Sequence, residues 1–359
     1  MNLGRRTPLF EKHKNLGAKM TLFAGWEMPL SYGSIINEHQ SVRHKSGLFD
    51  ISHMGKLLFQ GPEVASQLER VFSRRLTDLK IGCGRYGLLL SEAGTVVDDI
   101  IIYRISQEEF LAIVNAARIS HNISHIHNYC DIEILDKTET WGALALQGPE
   151  AISLWQKICN TTPPSRFQIR EYHLGQTPVF VARTGYTGED GVEILASPSQ
   201  IQFLWDQLLN LGAQPCGLGA RDSLRIEAGY PLYGHELSEN LTAIESAAER
   251  AIDFTKNNDW LGKDILLQQK THPPPRKLVF IRALQPGVLP RQGCCLFYNN
   301  QNIGSVTSGV FSPTFQCGIG MALVDTYFSN NECEVLIEIR TRRDKVRIEK
   351  KPLYRTNRS

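Results

Sequence analysis

The stretch "KLLFQGPEVASQLERVF" (residues 56–72) is closely matched by a second stretch, "ALALQGPEAISLWQKIC" (residues 143–159). Each reads as an apolar strand, then Gln-Gly-Pro-Glu, then an amphipathic helix. We expect the proline to lie in the first helical turn, where its missing N–H is no loss. The glutamate that follows should complement the positive end of the helix. This repeated strand-to-helix step predicts a fold that mixes strands and helices.

A third step of the same kind follows in "VEILASPSQIQFLWDQLLNLG" (residues 192–212). We expect Leu204, Leu208 and Leu211 to share one helical face and Gly212 to end the helix. Mixed strands and helices continue to about residue 265, which predicts an α+β region. The segment "THPPPRK" (residues 271–277) fits neither helix nor sheet and reads as a linker. Short strand-like runs beyond it predict a small all-β domain at the end of the chain.

Composition and charge exclude several classes of protein. The 359 residues carry 39 basic and 37 acidic side chains, and this near balance supplies no broad field for nucleic acid or a membrane surface. The eight cysteines form no CxxC pair, which indicates free thiols and no thiolate metal site. No apolar stretch follows the first arginines, and no run reaches the roughly 18 apolar residues of a membrane span. We expect a cytoplasmic protein, or one of the mitochondrial matrix if a presequence was removed.

The stretch "GTVVDDIIIYR" (residues 94–104) sets two adjacent carboxylates in a run typical of a buried strand. Because successive side chains of a strand point to opposite faces, Asp99 should share a face with Ile101 and Tyr103. An acid, an aliphatic side chain and a tyrosine on one face suit a flat ligand with a polar edge. The alternative is that Asp98 and Asp99 lie at the start of the strand, partly solvated.

Two further groups of residues offer possible chemistry. In "ARTGYTGEDGVEI" (residues 182–194), Glu193 reads either as a carboxylate aimed at a ligand or as an acid paired with an arginine such as Arg221. In "HNISHIHNYC" (residues 121–130), two histidines four residues apart could bind a metal, but surface histidines are common near helix ends. No metal site is therefore predicted. The glycines of "CGLGARD" (residues 216–222) lack a preceding strand and do not indicate a dinucleotide site.

Taken together and in order, eight stretches resemble the T-protein family of the glycine cleavage system nearly from end to end. They are "RTPLFEKHKNLGAKMTLFAGWEMPLSYGS" (6–34), "VRHKSGLFDISHMG" (42–55), "VDDIIIYR" (97–104), "IVNAAR" (113–118), "RTGYTGEDGVEI" (183–194), "GLGARDSLRIEAG" (217–229), "TSGVFSPT" (307–314) and "KKPLYR" (350–355).

The resemblance implies an α+β fold with a three-domain, cloverleaf-like arrangement around a central folate channel. Residues 1–270 would form the folate-binding and catalytic region from two interleaved α+β subdomains, roughly 1–50 with 138–265, and 51–137. Residues 277–359 would form a C-terminal β-barrel domain. The implied activity is aminomethyltransferase: a one-carbon unit passes from aminomethyl-dihydrolipoyl H-protein to tetrahydrofolate, ammonia is released, and 5,10-methylenetetrahydrofolate forms. The partners implied are lipoylated H-protein and tetrahydrofolate as acceptor substrate, with no metal, nucleic acid or membrane.

Carried over residue by residue, the resemblance makes Asp99 the catalytic acid, in agreement with the strand-face argument. Asp99 would position the reduced pterin and stabilise developing positive charge. Glu193 matches the acid that binds the pterin, whose adjacent N–H donors suit a carboxylate. The other implied folate-binding residues are Met54, Tyr86, Ile101, Tyr103, Asn115, Tyr186 and Arg221. Arg355 and Arg358 are suggested for the carboxylates of the folate tail.

Two other classes share the fold. One is a non-catalytic folate-binding protein of the iron–sulfur assembly type, whose Lys-Gly-Cys signature is absent from this chain. The other is an oxidative demethylase of the sarcosine or dimethylglycine type, which needs a flavin domain that this chain does not contain. A pure interaction protein that has lost its site is a third alternative.

Overall fold

The computed structural model describes residues 4–355. In that part of the chain the strands, in order, are β1 (Arg5–Arg6), β2 (Lys19–Phe23), β3 (Trp26–Ser31), β4 (Gly47–Asp50), β5 (Gly55–Gln60), β6 (Gly84–Leu90), β7 (Val96–Arg104), β8 (Glu109–Val114), β9 (Glu133–Asp136), β10 (Gly142–Gln147), β11 (Ile169–Leu174), β12 (Thr177–Ala182), β13 (Gly191–Ala196), β14 (Gln214–Pro215), β15 (Arg276–Ala283), β16 (Cys295–Tyr298), β17 (Gln301–Ser312), β18 (Cys317–Asp325), β19 (Glu334–Ile339) and β20 (Arg342–Glu349).

The helices are interspersed with these strands. They are α1 (Phe10–Asn15), α2 (Ile35–His44), α3 (Val64–Leu68), α4 (Ile119–His127), α5 (Ala151–Cys159), α6 (Pro198–Asn210), α7 (Leu218–Ala228), α8 (Lys263–Thr271) and α9 (Thr326–Ser329). None of the helices within residues 4–355 is both long and apolar enough to cross a membrane.

The chain divides into two compact units. The first consists of Met1–Arg70, Arg75–Gly87 and Ile100–Arg221, and the second of Val71–Arg74, Leu88–Asp99 and Asp222–Ser359. Helix α7 and strands β6 and β7 each contain residues of both units. Asp99 is the last residue of its segment of the second unit, and Ile100 begins the next segment of the first.

The first unit is built around a six-stranded sheet of order β11-β12-β13-β10-β4-β14. Its core packs the aliphatic side chains of β10 and β13 against helices α5 and α6, with Trp155 and Trp205 fully buried. Helix α6 begins at Pro198, where the proline opens the first turn and the Ser197 hydroxyl accepts from the Gln200 N–H. A smaller sheet of order β1-β3-β2 precedes it in the chain.

A five-stranded sheet has the order β6-β7-β8-β5-β9. Its strands run antiparallel where β5 meets β8 and β9 and where β7 meets β8. The central strands are almost wholly buried, which explains their valine, isoleucine and leucine content. Residues 88–99, the tip of the β6–β7 hairpin, are grouped with the second unit.

The second unit contains a closed barrel of order β15-β18-β17-β16-β19-β20. Apolar side chains fill its interior, among them Ile281, Leu296 and Ile337, none of which has exposed surface. The prolines of residues 273–275 connect α8 to β15, as their rigidity predicts. The predicted α+β fold with a C-terminal all-β barrel is confirmed.

The helices after Gln-Gly-Pro-Glu begin later than the sequence predicts. Glu63 and Glu150 are the N-cap residues of α3 and α5, so Pro62 and Pro149 precede both helices and do not lie in their first turns. Gly61 has φ +139° and Gly148 has φ +125°, so Gly-Pro-Glu forms a turn before the helix starts. Leu211 is also an exception, because it is 37% exposed and lies beyond the end of α6.

Candidate functional site

Strand β7 positions the tandem acids. Asp98 and Asp99 are its third and fourth residues, so neither lies at the strand start. Asp98 is fully buried, and Asp99 is partly buried. Alternation along the strand places Asp99 on the face of Ile101 and Tyr103, as the sequence predicts.

A chain of hydroxyl groups connects Tyr103 to Glu193 within the first unit. The Thr184 hydroxyl donates to Glu193 Oε2 at 2.6 Å and lies 2.9 Å from the Tyr103 hydroxyl. Since threonine has a single hydroxyl proton, Tyr103 is the donor of the second bond. Burial and the charge of Glu193 raise the pKa of Tyr103, so the phenol keeps the proton that it donates.

The carboxylate of Glu193 has acceptor capacity left. It forms no ion pair with Arg221, the alternative that the sequence left open, and Oε1 accepts no hydrogen bond from any residue within 4–355. Arg221 is near enough for its charge and that of Glu193 to influence each other. A carboxylate fixed on one oxygen and open on the other suits a ligand with adjacent N–H donors.

Tyr103 fits its place because residue 84 is a glycine. A Cβ atom at Gly84 would lie 2.4 Å from Cδ1 and 2.6 Å from Cε1 of the Tyr103 ring. The ring therefore lies directly against the backbone of β6, and any side chain there would displace it.

Gln147, the first residue of the second Gln-Gly-Pro-Glu, fixes the loop that carries Tyr186. Its side-chain amide donates to the Thr184 carbonyl at 3.1 Å, and its side-chain oxygen accepts from the Thr187 hydroxyl at 3.0 Å. Gly185 passes so close to this side chain that a Cβ there would lie 1.9 Å from Oε1 of Gln147. The loop is thereby attached to the end of β10.

Arg221, on helix α7, stacks on the ring of Tyr186. Its guanidinium carbon lies 4.8 Å from the ring centroid, a cation–π distance. Burial lowers the pKa of Arg221, whereas the charge of Glu193 opposes that shift. Nη1 of this guanidinium is buried without a hydrogen-bond partner in residues 4–355.

The loop between β4 and β5 carries Met54 and is tied down by Lys56. The ammonium group of Lys56 donates to the carbonyls of Ser52 at 2.7 Å and Met54 at 2.9 Å, and the side chain has no exposed surface. Burial lowers its pKa from 10.5 to about 7. Asp50 closes the start of the loop by accepting from the Ser52 N–H at 2.9 Å.

Asp50 also ends a buried polar chain. It lies 2.9 Å from Nε2 of His13, whose Nδ1 is 2.7 Å from the Tyr32 hydroxyl. Burial disfavours the charged form of Asp50, but hydrogen bonds from His13, Thr7 and Ser52 together lower its pKa to about 2.

The remaining predicted residues lie on neighbouring elements of the first unit, and each is partly buried. They are Met54 after β4, Tyr86 on β6, Ile101 on β7 and Asn115 after β8. Arg355 is exposed at the end of the described chain, and Arg358 lies outside the described residues. Helix α4 carries the histidines of residues 121–127, and residues 4–355 contain no group of three side chains placed to hold a metal.

Sequence reasoning did not identify Thr184, Gln147, Lys56 or His53. The contacts of Thr184 and Gln147 join residues 37 to 81 positions apart, which no local spacing reveals. Lys56 carries one visible signal, since a lysine that opens an otherwise apolar strand needs a buried partner.

Comparisons with known proteins extend over nearly the whole chain. Residues 9–256 match the GCVT N-terminal domain, and residues 276–355 match the glycine cleavage T-protein C-terminal barrel domain. An aminomethyltransferase of Geobacillus sp. (strain WCH70) is 40% identical over 98% of this chain and 99% of its own length. One from Rubrobacter xylanophilus is 41% identical over 99% of this chain and 95% of its own.

A solved structure extends the comparison to three dimensions. The glycine cleavage system aminomethyltransferase T from Bartonella henselae superimposes with a TM-score of 0.89, is 32% identical, and covers 98% of both chains. Family models, full-length relatives and this structure agree with the resemblance seen in the sequence. This chain is therefore a transferase that belongs to the glycine cleavage T-protein family.

Proposed function

We propose that the chain is the tetrahydrofolate-dependent aminomethyltransferase of a glycine cleavage system. It would take the one-carbon unit from the aminomethyl-dihydrolipoyl arm of H-protein. The aminomethyl carbon would lose its bonds to sulfur and to nitrogen and gain bonds to N5 and N10 of tetrahydrofolate. The two protons of those nitrogens would leave on ammonia and on the lipoyl thiol, which balances the reaction.

The observation that carries this proposal is the state of Glu193. One of its oxygens accepts from Thr184, and the other has no partner in residues 4–355. The pterin ring offers two adjacent N–H donors, on its amino group and on N3, which such a carboxylate accepts side by side. The aromatic ring of Tyr186, stacked on Arg221, adds a flat apolar surface within the same unit.

In this proposal Asp99 contributes charge. A carboxylate that lies in place before the reaction stabilises positive charge at the transferred carbon without reorganisation. It also orients the folate nitrogens, and the exclusion of water would protect the one-carbon unit from hydrolysis.

The test is ammonia release by the purified chain mixed with lipoylated H-protein, glycine decarboxylase and tetrahydrofolate. We expect Asp99→Asn to fold normally and bind folate, while turnover falls on the order of 10²-fold. Asp98→Asn is the matched control. Because Asp98 is fully buried, Asp98→Asn should lower the melting temperature, whereas the turnover of the folded variant should stay near that of the parent.

Other outcomes would redirect the assignment. Near-normal turnover by Asp99→Asn would contradict the role of that acid. Folate binding by the parent chain without ammonia release would favour the non-catalytic, iron–sulfur assembly type of protein. Absence of folate binding would contradict both the aminomethyltransferase and the non-catalytic folate-binding protein.

A further inference from the structure

His53 is buried in the loop that carries Met54, yet part of its side chain is unsatisfied. It is 1% exposed, and its ring packs edge to face against Phe23, with centroids 5.6 Å apart and planes at 84°. Its Nδ1 atom is buried and has no hydrogen-bond partner in residues 4–355. Leaving such a group unpaired destabilises a folded protein, so its presence calls for an explanation.

His53 is neutral at pH 7. Burial, the charge of Arg221 and the charge of Lys56 lower its pKa to about 3, although Asp50 acts in the opposite direction. A neutral imidazole offers one N–H donor and one acceptor nitrogen. His53 therefore contributes a hydrogen bond and no charge.

Arg221 carries a second unsatisfied atom in the same unit. Arg221 belongs to the same unit as His53, its charge contributes to the lowered pKa of His53, and its Nη1 likewise lacks a partner within residues 4–355. A guanidinium nitrogen can only donate. A group that satisfies Arg221 must therefore supply an acceptor atom, and an oxygen with two lone pairs accepts from two donors at once.

Glu193 indicates what that oxygen belongs to. It presents a carboxylate to adjacent N–H donors, and its charge also reaches Arg221. On a pterin the order along one edge is amino group, N3–H and 4-oxo oxygen. A ligand whose two donors meet Glu193 therefore also carries an acceptor oxygen beside those donors, which is the kind of atom that Arg221 lacks.

We propose that His53 is a ligand-binding residue that, together with Arg221, donates a hydrogen bond to the 4-oxo oxygen of the pterin. This inference rests on the proposed folate-dependent function and assigns the Nδ1–H tautomer to His53. Glu193 then recognises the donors of that edge, and the pair of His53 and Arg221 recognises its acceptor. The three side chains discriminate a 4-oxo ring from a 4-amino ring, which offers donors where an acceptor is needed.

The test compares the tetrahydro forms of folate and of its 4-amino analogue aminopterin by calorimetric titration. The analogue has an amino group in place of the 4-oxo oxygen and no hydrogen on N3. The role of His53 is therefore read from the change that each variant causes in the two affinities. We expect the parent chain to bind the 4-oxo ligand more tightly. His53→Phe keeps the packing against Phe23 but removes the donor, so it should weaken the 4-oxo ligand about tenfold and the 4-amino ligand at most about twofold. His53→Asn places an amide near the position of Nδ1 and should restore most of the 4-oxo affinity.

Stability without ligand separates this role from a purely structural one. Since His53→Phe replaces an unsatisfied polar group by an apolar one, the free protein should melt no lower than the parent. His39→Phe is the control, because His39 is also fully buried but does have a partner. That variant should melt lower and leave the ratio of the two affinities unchanged.

The results distinguish the two levels of the argument. If His53→Phe binds both ligands as the parent does, a bridging water satisfies the two side chains and the inference is wrong, while the proposed function stands. If the parent chain binds neither ligand, the proposed function itself fails. Should His53→Phe not fold, equal affinity of His53→Asn and His53→Leu for the 4-oxo ligand would overturn the inference.

Discussion

Lys56 is a lysine with no exposed surface that is fixed by two backbone carbonyls. Its pKa is about 7 in the folded chain, against an ordinary value of 10.5. Between these values the unfolded chain binds a proton that the folded chain does not. The free energy of unfolding therefore rises with pH across this window.

We expect Lys56→Met to remove that rise. Denaturant titrations at pH 7, 8, 9 and 10 should show the parent gaining stability relative to the variant by roughly 1.4 kcal/mol per pH unit. Lys14→Met, at an exposed position, is the control and should follow the parent. Parallel curves for parent and Lys56→Met would show that the lysine keeps its ordinary pKa.

Asp50 also makes the free energy of unfolding rise with pH, but in an acidic window. Its pKa is lowered to about 2, so its contribution is complete above the ordinary value near 4 and is lost as the pH falls toward 2. Asp50→Asn leaves the buried His13 without a charged partner and should destabilise the chain by about 3 kcal/mol at pH 7. Thermal melts at pH 7 and pH 3 measure both effects, and the loss should be smaller at pH 3. An equal loss at both pH values would contradict the assigned pKa.

At the scale of elements, the packing of the β6–β7 hairpin depends on a glycine at position 84, where there is no room for a side chain. Gly84→Ala would drive a methyl group into the Tyr103 ring, which is fully buried and cannot turn away. We expect a loss of about 2 kcal/mol and a weakened bond from Tyr103 to Thr184. The loss should shrink in the background of Tyr103→Leu, which is less bulky at this place, as a double-mutant cycle of melting temperatures would show. Additive losses would mean that the alanine disturbs the strand in another way.

Strands and helices were predictable where they follow a local period. The apolar run of β7 and the strand-to-helix step that leads into α6 carry their structure in neighbouring residues, and both are confirmed. The predicted start of the helix after Gly-Pro-Glu was wrong by one or two residues. The glycines have positive φ, so the turn continues through the glutamate before the helix begins. Side-chain partners were mostly not predictable. The Glu193–Thr184 bond joins residues 9 positions apart, but Thr184 contacts Tyr103 from 81 positions away.

At the scale of the whole molecule, the composition predicts free thiols. All eight cysteines lie within the described residues, and all are free. We expect the melting temperature to be the same with and without a reducing agent, since no disulfide restrains the unfolded chain. Differential scanning calorimetry measures this comparison. A lower melting temperature in the presence of the reducing agent would show that a disulfide bond forms on oxidation.

The candidate site shows the same division between what is local and what is not. The order of quoted stretches predicted the family, and strand alternation predicted the face of Asp99. The unsatisfied atoms of His53 and Arg221 could not be predicted, because they depend on the absence of partners over the described chain. Position in the sequence indicates which residues belong to a site, whereas packing decides which of them still need a ligand.

The amine of Lys56 has a use that follows from its burial. An amine with a pKa near 7 is largely uncharged in mildly alkaline buffer, and in that form it is a nucleophile toward acylating reagents. Because this side chain has no exposed surface, reagents reach it only when the structure around it opens. The rate of its acetylation, read by peptide mass spectrometry, therefore measures how often that opening occurs. A bound substrate analogue that retards this labelling would reveal occupancy of the nearby site without any assay of turnover.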